Sequence, residues 1–370
     1  MQRVDHLLPG ASLGSERHLS VFRFGAGERK VYIQASLHAD ELPGMRTAWE
    51  LKQRLAALEA EGRLNGVVEL VPVANPIGLG QWLQASHLGR FEMNGGQNFN
   101  RGFVELASLV GPRVAAQLGD DEQANVRLIR QAMREVLDEL LAPVGELQAM
   151  QRLLLRHACD AEIVLDLHCD FEACVHLYAL PQHWPRWRSL AARIKAGVAL
   201  LAEDSGGNSF DESCSLPWLR LARAYPQAAI PPACLATTVE LGSMGDTRVE
   251  QARDNAEAIL GFLAEQGLIA GEWPAMPEQC CEGMPFEGTE YLAAPHAGVV
   301  SFLRYAGEWV EKGEALFEVV DPLNDKVSTV RAGTSGVLFA LERGRYALAG
   351  HWMAKVAGRE PFRTGRLIND

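Results

Sequence analysis

His38 and Glu41 stand three positions apart in the stretch SLHADELPG, residues 36–44, between an apolar run and the start of a predicted helix. At that spacing a loop or a first helical turn can aim an imidazole and a carboxylate at one point. Together they make two thirds of the His₂Glu set that holds a catalytic zinc while leaving one position for water. The third donor has to come from far along the chain, and Asp166-Leu167-His168 supplies it. A lone His-x-x-Glu is more often a surface pair at a helix start, so the case depends on what falls beside it.

The elements that must position these residues are legible as strands and helices. Lys30 to Leu37 (KVYIQASL) is a β-rich run with His38 at its end. Pro43 sits where a first helical turn tolerates proline. Met45 to Glu61 then carries Ala48, Leu51, Leu55 and Leu58 on one stripe, and Gly62 ends it. Val67 to Ala74 is a second buried strand, stopped by Asn75-Pro76. Strand, helix, strand at this spacing is a βαβ unit. It predicts an α/β fold with a mixed, largely parallel central sheet and helices on both faces.

Two more strands end on chemistry. Ala161 to His168 (AEIVLDLH) finishes at His168, and Cys234 to Leu241 (CLATTVEL) carries Glu240 near its end. Sites in open α/β sheets form at the carboxyl ends of strands. Three widely separated polar residues at strand ends raise His38, Glu41 and His168 above a chance pairing. Glu240 is then the candidate base beside a metal-activated water, because a carboxylate in so apolar a run is costly without a partner or a task. A buried ion pair is the alternative for it. Asp166, two residues before His168 on the same strand face, suits the orienting of an imidazole. Cys169 points to the opposite strand face and is not expected to be a ligand.

From Ile77 to Arg101 the chain is irregular and rich in Gly, Asn and Gln, yet it keeps aromatics and arginines. So long a loop in a compact domain is usually functional. Arg90, Asn100 and Arg101 would bring two guanidiniums and a carboxamide to the site, a clamp for a substrate carboxylate. One arginine could instead polarise the scissile carbonyl.

Further on, helices are predicted from about 121 to 157, broken near Pro143-Val144-Gly145, from Trp184 to Leu201, and from Asp211 to Ala224. Asp246 or Thr247 caps a last helix to about Gln266. Residues 271–288 read as a linker. Closely spaced short strands follow, so the chain divides into an α/β domain, 1–275, and a small all-β domain, 276–370. PHAGVV followed by GEWVEKGE has the cadence of a lipoyl/biotinyl-like hammerhead barrel. Asp325-Lys326 reads as a hairpin turn in preference to a carrier lysine. The small domain is expected to wall the cleft, which Tyr291 and His296 could reach, or make an oligomer contact.

The chain has 370 residues, 48% hydrophobic and 22% charged, with a formal net charge of −12. That balance argues against a nucleic-acid partner. No stretch reaches the roughly 20 apolar residues that span a bilayer, and the first residues lack the apolar core of a signal peptide. Seven scattered cysteines suit reduced thiols and a cytoplasmic location.

HADELPG, GRF…GGQNFNRGF, VLDLHCD and TTVELG match, in order, the HxDExxG, RF…G-x-NFNR, DLH and VELG blocks of a known family. The chain thereby resembles the succinylglutamate desuccinylase/aspartoacylase family, a zinc metallocarboxypeptidase branch, from residue 20 to about 360. The resemblance implies a zinc carboxypeptidase-like fold with a C-terminal β-domain. It implies zinc on His38, Glu41 and His168, with Glu240 as general base and acid. It also places Arg90 near the scissile carbonyl, and Asn100 and Arg101 on a substrate carboxylate. The reaction would be hydrolysis of a small N-acyl amino acid or related acidic amide. Ala39 departs from the glycine of many relatives. FEACVHLYALP, after the DLH block, identifies no acyl group. A carboxypeptidase acting on short peptides is the runner-up, and a carrier or binding protein the alternative of another class. Co or Ni would also fit the donors, and homo-oligomerisation is left open.

Overall fold

The computed structural model describes residues 1–10, 12–140, 145–278, 280–365 and 367. An antiparallel pair, β1 (Gln2–Leu8) and β2 (Arg17–Phe24), opens the chain. The βαβ unit follows as β3 (Lys30–Ala35), α1 (Leu42–Ala60) and β4 (Val67–Val71), with β3 and β4 parallel. Glu61 caps α1 and Gly62 leaves it at φ +67°, a conformation glycine adopts without strain.

The Gly- and Asn-rich loop is more ordered than its composition implies. It holds the short helix α2 (Pro76–Leu79) and a hairpin of β5 (Trp82–Leu83) and β6 (Ser86–His87). Three helices follow, α3 (Leu106–Val114), α4 (Glu122–Glu139) and α5 (Glu146–Ala158). The break expected at Pro143-Val144 lies outside the described residues, and Gly145 is the N-cap of α5.

Next come β7 (Ile163–Asp170), the short β8 (Glu172–Ala173), β9 (His176–Ala179), α6 (Trp184–Arg193) and β10 (Val198–Leu201). One helix from Trp184 to Leu201 is therefore not what forms. Lys195 takes φ +56°, which ends the helical path, and the apolar VALL run joins the sheet instead. The chain continues with α7 (Phe210–Ala224), β11 (Leu235–Ser243), α8 (Val249–Glu265) and β12 (Gly283–Pro285), the last a strand where a linker was expected. Arg248, not Asp246 or Thr247, is the N-cap of α8, because Asp246 Oδ2 accepts from Ser243 N–H instead.

The large sheet runs β1-β2-β4-β3-β7-β11-β9-β10-β12. Its centre, β4-β3-β7-β11, is parallel. Alternation along β3 sorts the core into two layers. Val31, Ile33 and Ala35 pack with Leu51, Leu55 and Ile259 of α1 and α8, while Tyr32 packs with Ile129, Leu154 and Trp218 of α4, α5 and α7. Truncating the fully buried Leu51 to Ala would cost about 2–5 kcal/mol.

The C-terminal region is all β: β13 (Thr289–Ala293), β14 (Gly298–Phe302), β15 (Trp309–Val310), β16 (Ala315–Asp321), β17 (Lys326–Arg331), β18 (Gly336–Leu341), β19 (Tyr346–Ala347) and β20 (Trp352–Gly358). They form two antiparallel sheets, β13-β20-β18-β15 and β17-β16-β14-β19, around Leu316, Phe317, Leu338 and Val356. Asp325, at φ +53°, makes the turn into β17. The two parts of the chain are joined by hydrogen bonds as well as by packing. β8 pairs with β18, and Phe286 and Met284 pack on Phe339. No described helix is long and apolar enough to cross a membrane.

Candidate metal centre and its cleft

The His38–Glu41 turn is built by close backbone approach. β3 ends at Ala35, and Ser36 turns the chain at φ +60°, a left-handed value that favours glycine. Asn75 Nδ2 holds Leu37 O at 2.8 Å. Ala39 N–H donates to Gly89 O at 2.9 Å, and a Cβ on Gly89 would stand 2.2 Å from Asp40 N. On the other side, a Cβ on Gly44 would stand 2.6 Å from Leu167 O. Glycine at 44 thus lets the start of α1 press against β7 beside His168.

Glu41 is the N-cap of α1, but its side chain makes no cap hydrogen bond. Its Oε1 lies 2.9 Å from His38 Nδ1 and its Oε2 lies 2.7 Å from His168 Nδ1. All three side chains are buried, and their donor atoms lie within 4.8 Å of one another. The outer ring nitrogens are held from behind. His38 Nε2 is 2.8 Å from Asn98 Oδ1, which also accepts from Asn100 N–H. An amide oxygen only accepts, so the proton of neutral His38 is assigned to Nε2 and the Nδ1 lone pair faces the cluster. His168 Nε2 lies 3.0 Å from Asp166 Oδ2, a close contact whose angle falls short of a hydrogen bond. Asp166 is itself anchored, its Oδ1 accepting from Gln34 Nε2 at 3.0 Å.

The electrostatics follow from these neighbours. Burial, and then Arg90, lower the pKa of His38, which favours the neutral form. At His168 burial acts the same way, but Asp166 and Glu41 override it and raise the pKa well above the usual range. Burial would raise Glu41, and the two histidines hold it well below the usual carboxylate range instead. Two imidazole Nδ1 atoms and one ionised carboxylate, buried and oriented from behind, are the donor chemistry of a zinc-type site. The cluster already attracts positive charge, because Arg90 Nη1 lies 3.0 Å from Glu41 Oε1 and 3.3 Å from His38 Nδ1. The donors fit a metal ion.

The loop residues reach the same place. Phe91 bridges to Asn98, and Phe99 N–H donates to Arg90 O, pinching the loop so that Arg90 and residues 98–101 come together. Gln151 Nε2, from α5, holds Phe99 O and Arg101 O. Asn100 and Arg101 both line the cleft. Asn100 Oδ1 accepts from Phe210 N–H at the start of α7, which leaves its Nδ2 as the amide's donor.

Glu240 lies beside His168 in the β11–β7 register and lines the same cleft. Its side chain is half-buried, and Oε2 is closed off with no hydrogen-bond partner. Burial, and then Glu41, push its pKa up to about 8, against the pull of His168. Among the described residues no arginine or lysine pairs with it at salt-bridge distance, so the ion-pair alternative does not form.

The cleft measures about 290 Å³. Part of its lining comes from the C-terminal region. Tyr291 lines it, as the sequence allowed, whereas Trp352, Lys355 and Glu342, which sequence reasoning missed, come from the same region. Lys355 Nζ lies 4.4 Å from the Trp352 ring centroid and is ion-paired to Asp170. His296 does not reach the cleft and instead bonds Ser328 Oγ. Asn98 was also missed, although the NFN run quoted above contains it. Its alternation with Asn100 was the available signal.

The sequence model of the succinylglutamate desuccinylase/aspartoacylase catalytic domain matches residues 27–266. The chain belongs to this family. Its members are hydrolytic deacylases. A succinylglutamate desuccinylase/aspartoacylase family protein from Shewanella amazonensis is 26% identical, covering 96% of this chain and 98% of its own, with TM-score 0.85. A second, from Shewanella frigidimarina, is 23% identical over 96% and 97% of the two chains, with TM-score 0.87. The product-bound ectoine utilization protein EutE (DoeB) of Ruegeria pomeroyi shares the fold at 14% identity, 96% and 94% coverage and TM-score 0.68. Comparison with curated proteins gives no match.

Proposed function

We propose that the chain is a zinc-dependent amidohydrolase that deacylates a small N-acyl amino acid. The observation that carries this is the buried His38–Glu41–His168 cluster, with both imidazoles presenting Nδ1 and Glu240 on the neighbouring strand. His38, Glu41 and His168 would hold the ion. When bound, zinc supplies Lewis acidity, lowering the pKa of a water toward neutrality and polarising a carbonyl.

Glu240 takes the proton of the attacking water and delivers it to the departing nitrogen. Water oxygen joins the carbonyl carbon, the C–N bond breaks, and a carboxylate and a primary amine leave. Glu240 suits the task because nothing else claims its Oε2. Its high pKa comes from burial and then from Glu41, and a cation held on Glu41 would offset the second of these. Arg90 presents its guanidinium to the carbonyl oxygen as charge develops. Asn100 and Arg101 hold the substrate carboxylate. Trp352, Tyr291 and Lys355 close the cleft from the C-terminal side, which favours small substrates over longer peptides.

Zinc-loaded protein assayed against N-acyl amino acids and against short peptides tests this reading. Amine release from the acyl amino acids is expected. Turnover of peptides alone would favour the carboxypeptidase reading. We also propose a reducing, cytoplasmic setting, which the seven free thiols suit.

A further inference from the structure

Away from the cleft, two histidines meet ring to ring at the edge of the large sheet. β1 is the edge strand, hydrogen-bonded to β2, and it carries His6. His157 lies in the last turn of α5. Their Nε2 atoms are 3.1 Å apart, with ring centroids at 5.0 Å and planes inclined by 67°.

The tautomers follow from what stands behind the rings. His157 Nδ1 lies 2.9 Å from Glu69 Oε2. Glu69 is ionised at neutral pH, its pKa lowered to about 2, so it only accepts and a neutral His157 keeps its proton on Nδ1. The Nε2 lone pair of His157 therefore faces His6. Burial, and then His157, lower the pKa of His6 and favour its neutral form. With the His6 proton on Nε2 the rings share one N–H···N bond. With it on Nδ1, two lone pairs converge on one point.

Two imidazole nitrogens at about 2.0–2.1 Å from one metal stand roughly 2.9–3.4 Å apart, for angles of about 90–110°. The observed separation falls inside that range, so the pair takes an ion without rearranging. An imidazole whose far nitrogen donates to a carboxylate is also the usual arrangement of a metal-bound histidine. Charge then sorts the ligand class. Glu69 is already paired with Arg23 at 2.8 Å and Lys30 at 3.0 Å, and Asp160 with Lys30 and Arg134 at 2.9 and 3.1 Å. The carboxylates of this cluster are thus neutralised, and what it offers is nitrogen. Such donors favour zinc, nickel or copper over the hard cations magnesium and calcium.

We propose that His6 and His157 form a second metal site, for a zinc-class divalent ion, that clamps the edge strand β1 to α5. Water completes the coordination. The site stands independently of the deacylase reading. With two protein donors instead of three, it fills after the buried His38–Glu41–His168 centre.

Zinc titration of the chelator-treated full chain, read by calorimetry, tests it. His6 is partly exposed on an edge strand, so its truncation spares the core. His6→Ala should bind one zinc equivalent fewer than wild type, the weaker one, and His157→Gln should lose the same equivalent. Hydrogen exchange gives a second reading. Amides of β1 should slow severalfold as that equivalent binds to wild type, and should not slow in His6→Ala or when magnesium replaces zinc. Equal zinc uptake by wild type and His6→Ala would overturn the site. So would slowing of β1 by magnesium, or by zinc in His6→Ala.

Discussion

Lys355 Nζ, on β20 of the C-terminal sheet, lies 2.6 Å from Asp170 Oδ2, two residues past the metal-donor candidate His168. The side chains are 11% and 13% exposed, so this is a buried ion pair spanning the two parts of the chain. With β8 paired to β18, it fixes the β-region as a wall of the site.

Removing one partner of such a pair leaves the other charge buried and alone. Lys355→Met should therefore destabilise the protein by about 3–5 kcal/mol and lower kcat/KM by displacing Tyr291 and Trp352. The double variant with Asp170→Asn should recover part of the stability. Urea unfolding of the four proteins checks this, and a Lys355→Met protein as stable as wild type would contradict it.

Glu240→Gln should keep its metal and lose activity by about 10²–10⁴-fold, the usual worth of a general acid–base group. Metal analysis and kcat, measured on one preparation, separate base from ligand. Loss of the metal together with activity would place Glu240 among the donors.

Asn98→Ala leaves His38 Nε2 without its acceptor and frees the ring to turn. Zinc affinity should fall about 10–100-fold, the effect typical of losing such a supporting hydrogen bond. Competition with a chromophoric chelator reads it directly. Unchanged affinity would mean the ring is held by packing alone.

The three strand ends were visible in sequence because parallel strands carry near-continuous apolar runs, and polar residues at their ends stand out. The rest depends on distances the sequence does not encode. Asp170 and Lys355 are far apart in the chain, and each looks like an ordinary surface charge there. The run VALL, 198–201, carries no period that separates strand from helix, so it was absorbed into α6. Gly283–Pro285 looked like linker because Gly and Pro dominate its neighbourhood, yet it edges the large sheet beside β10. Of the partners behind the two imidazoles, Asp166 is legible two residues before His168, whereas Asn98, which faces His38 Nε2, is identified only in three dimensions.

Away from the site, Glu69 should give stability a measurable acid limb. It is 5% exposed and meets Arg23, Lys30 and His157. Burial would raise its pKa, but His157 and Lys30 prevail and lower it from 4.5 to about 2. The folded protein thus holds fewer protons than the unfolded chain between those values. The stabilisation is complete above about pH 4.5 and is lost as pH falls toward 2. At neutral pH it amounts to about 3 kcal/mol. Unfolding free energies of wild type and Glu69→Gln should differ at pH 7 and converge toward pH 2. A gap independent of pH would count against the assignment.

The central claim is that His38, Glu41 and His168 hold one zinc that the hydrolysis requires. Amine release from an N-acyl amino acid, followed as chelator-treated protein is titrated with zinc, tests it most directly. Activity should rise from background and break at one equivalent, with His168→Ala staying at background throughout. Full activity before zinc is added, or His168→Ala following the wild-type curve, would contradict the account.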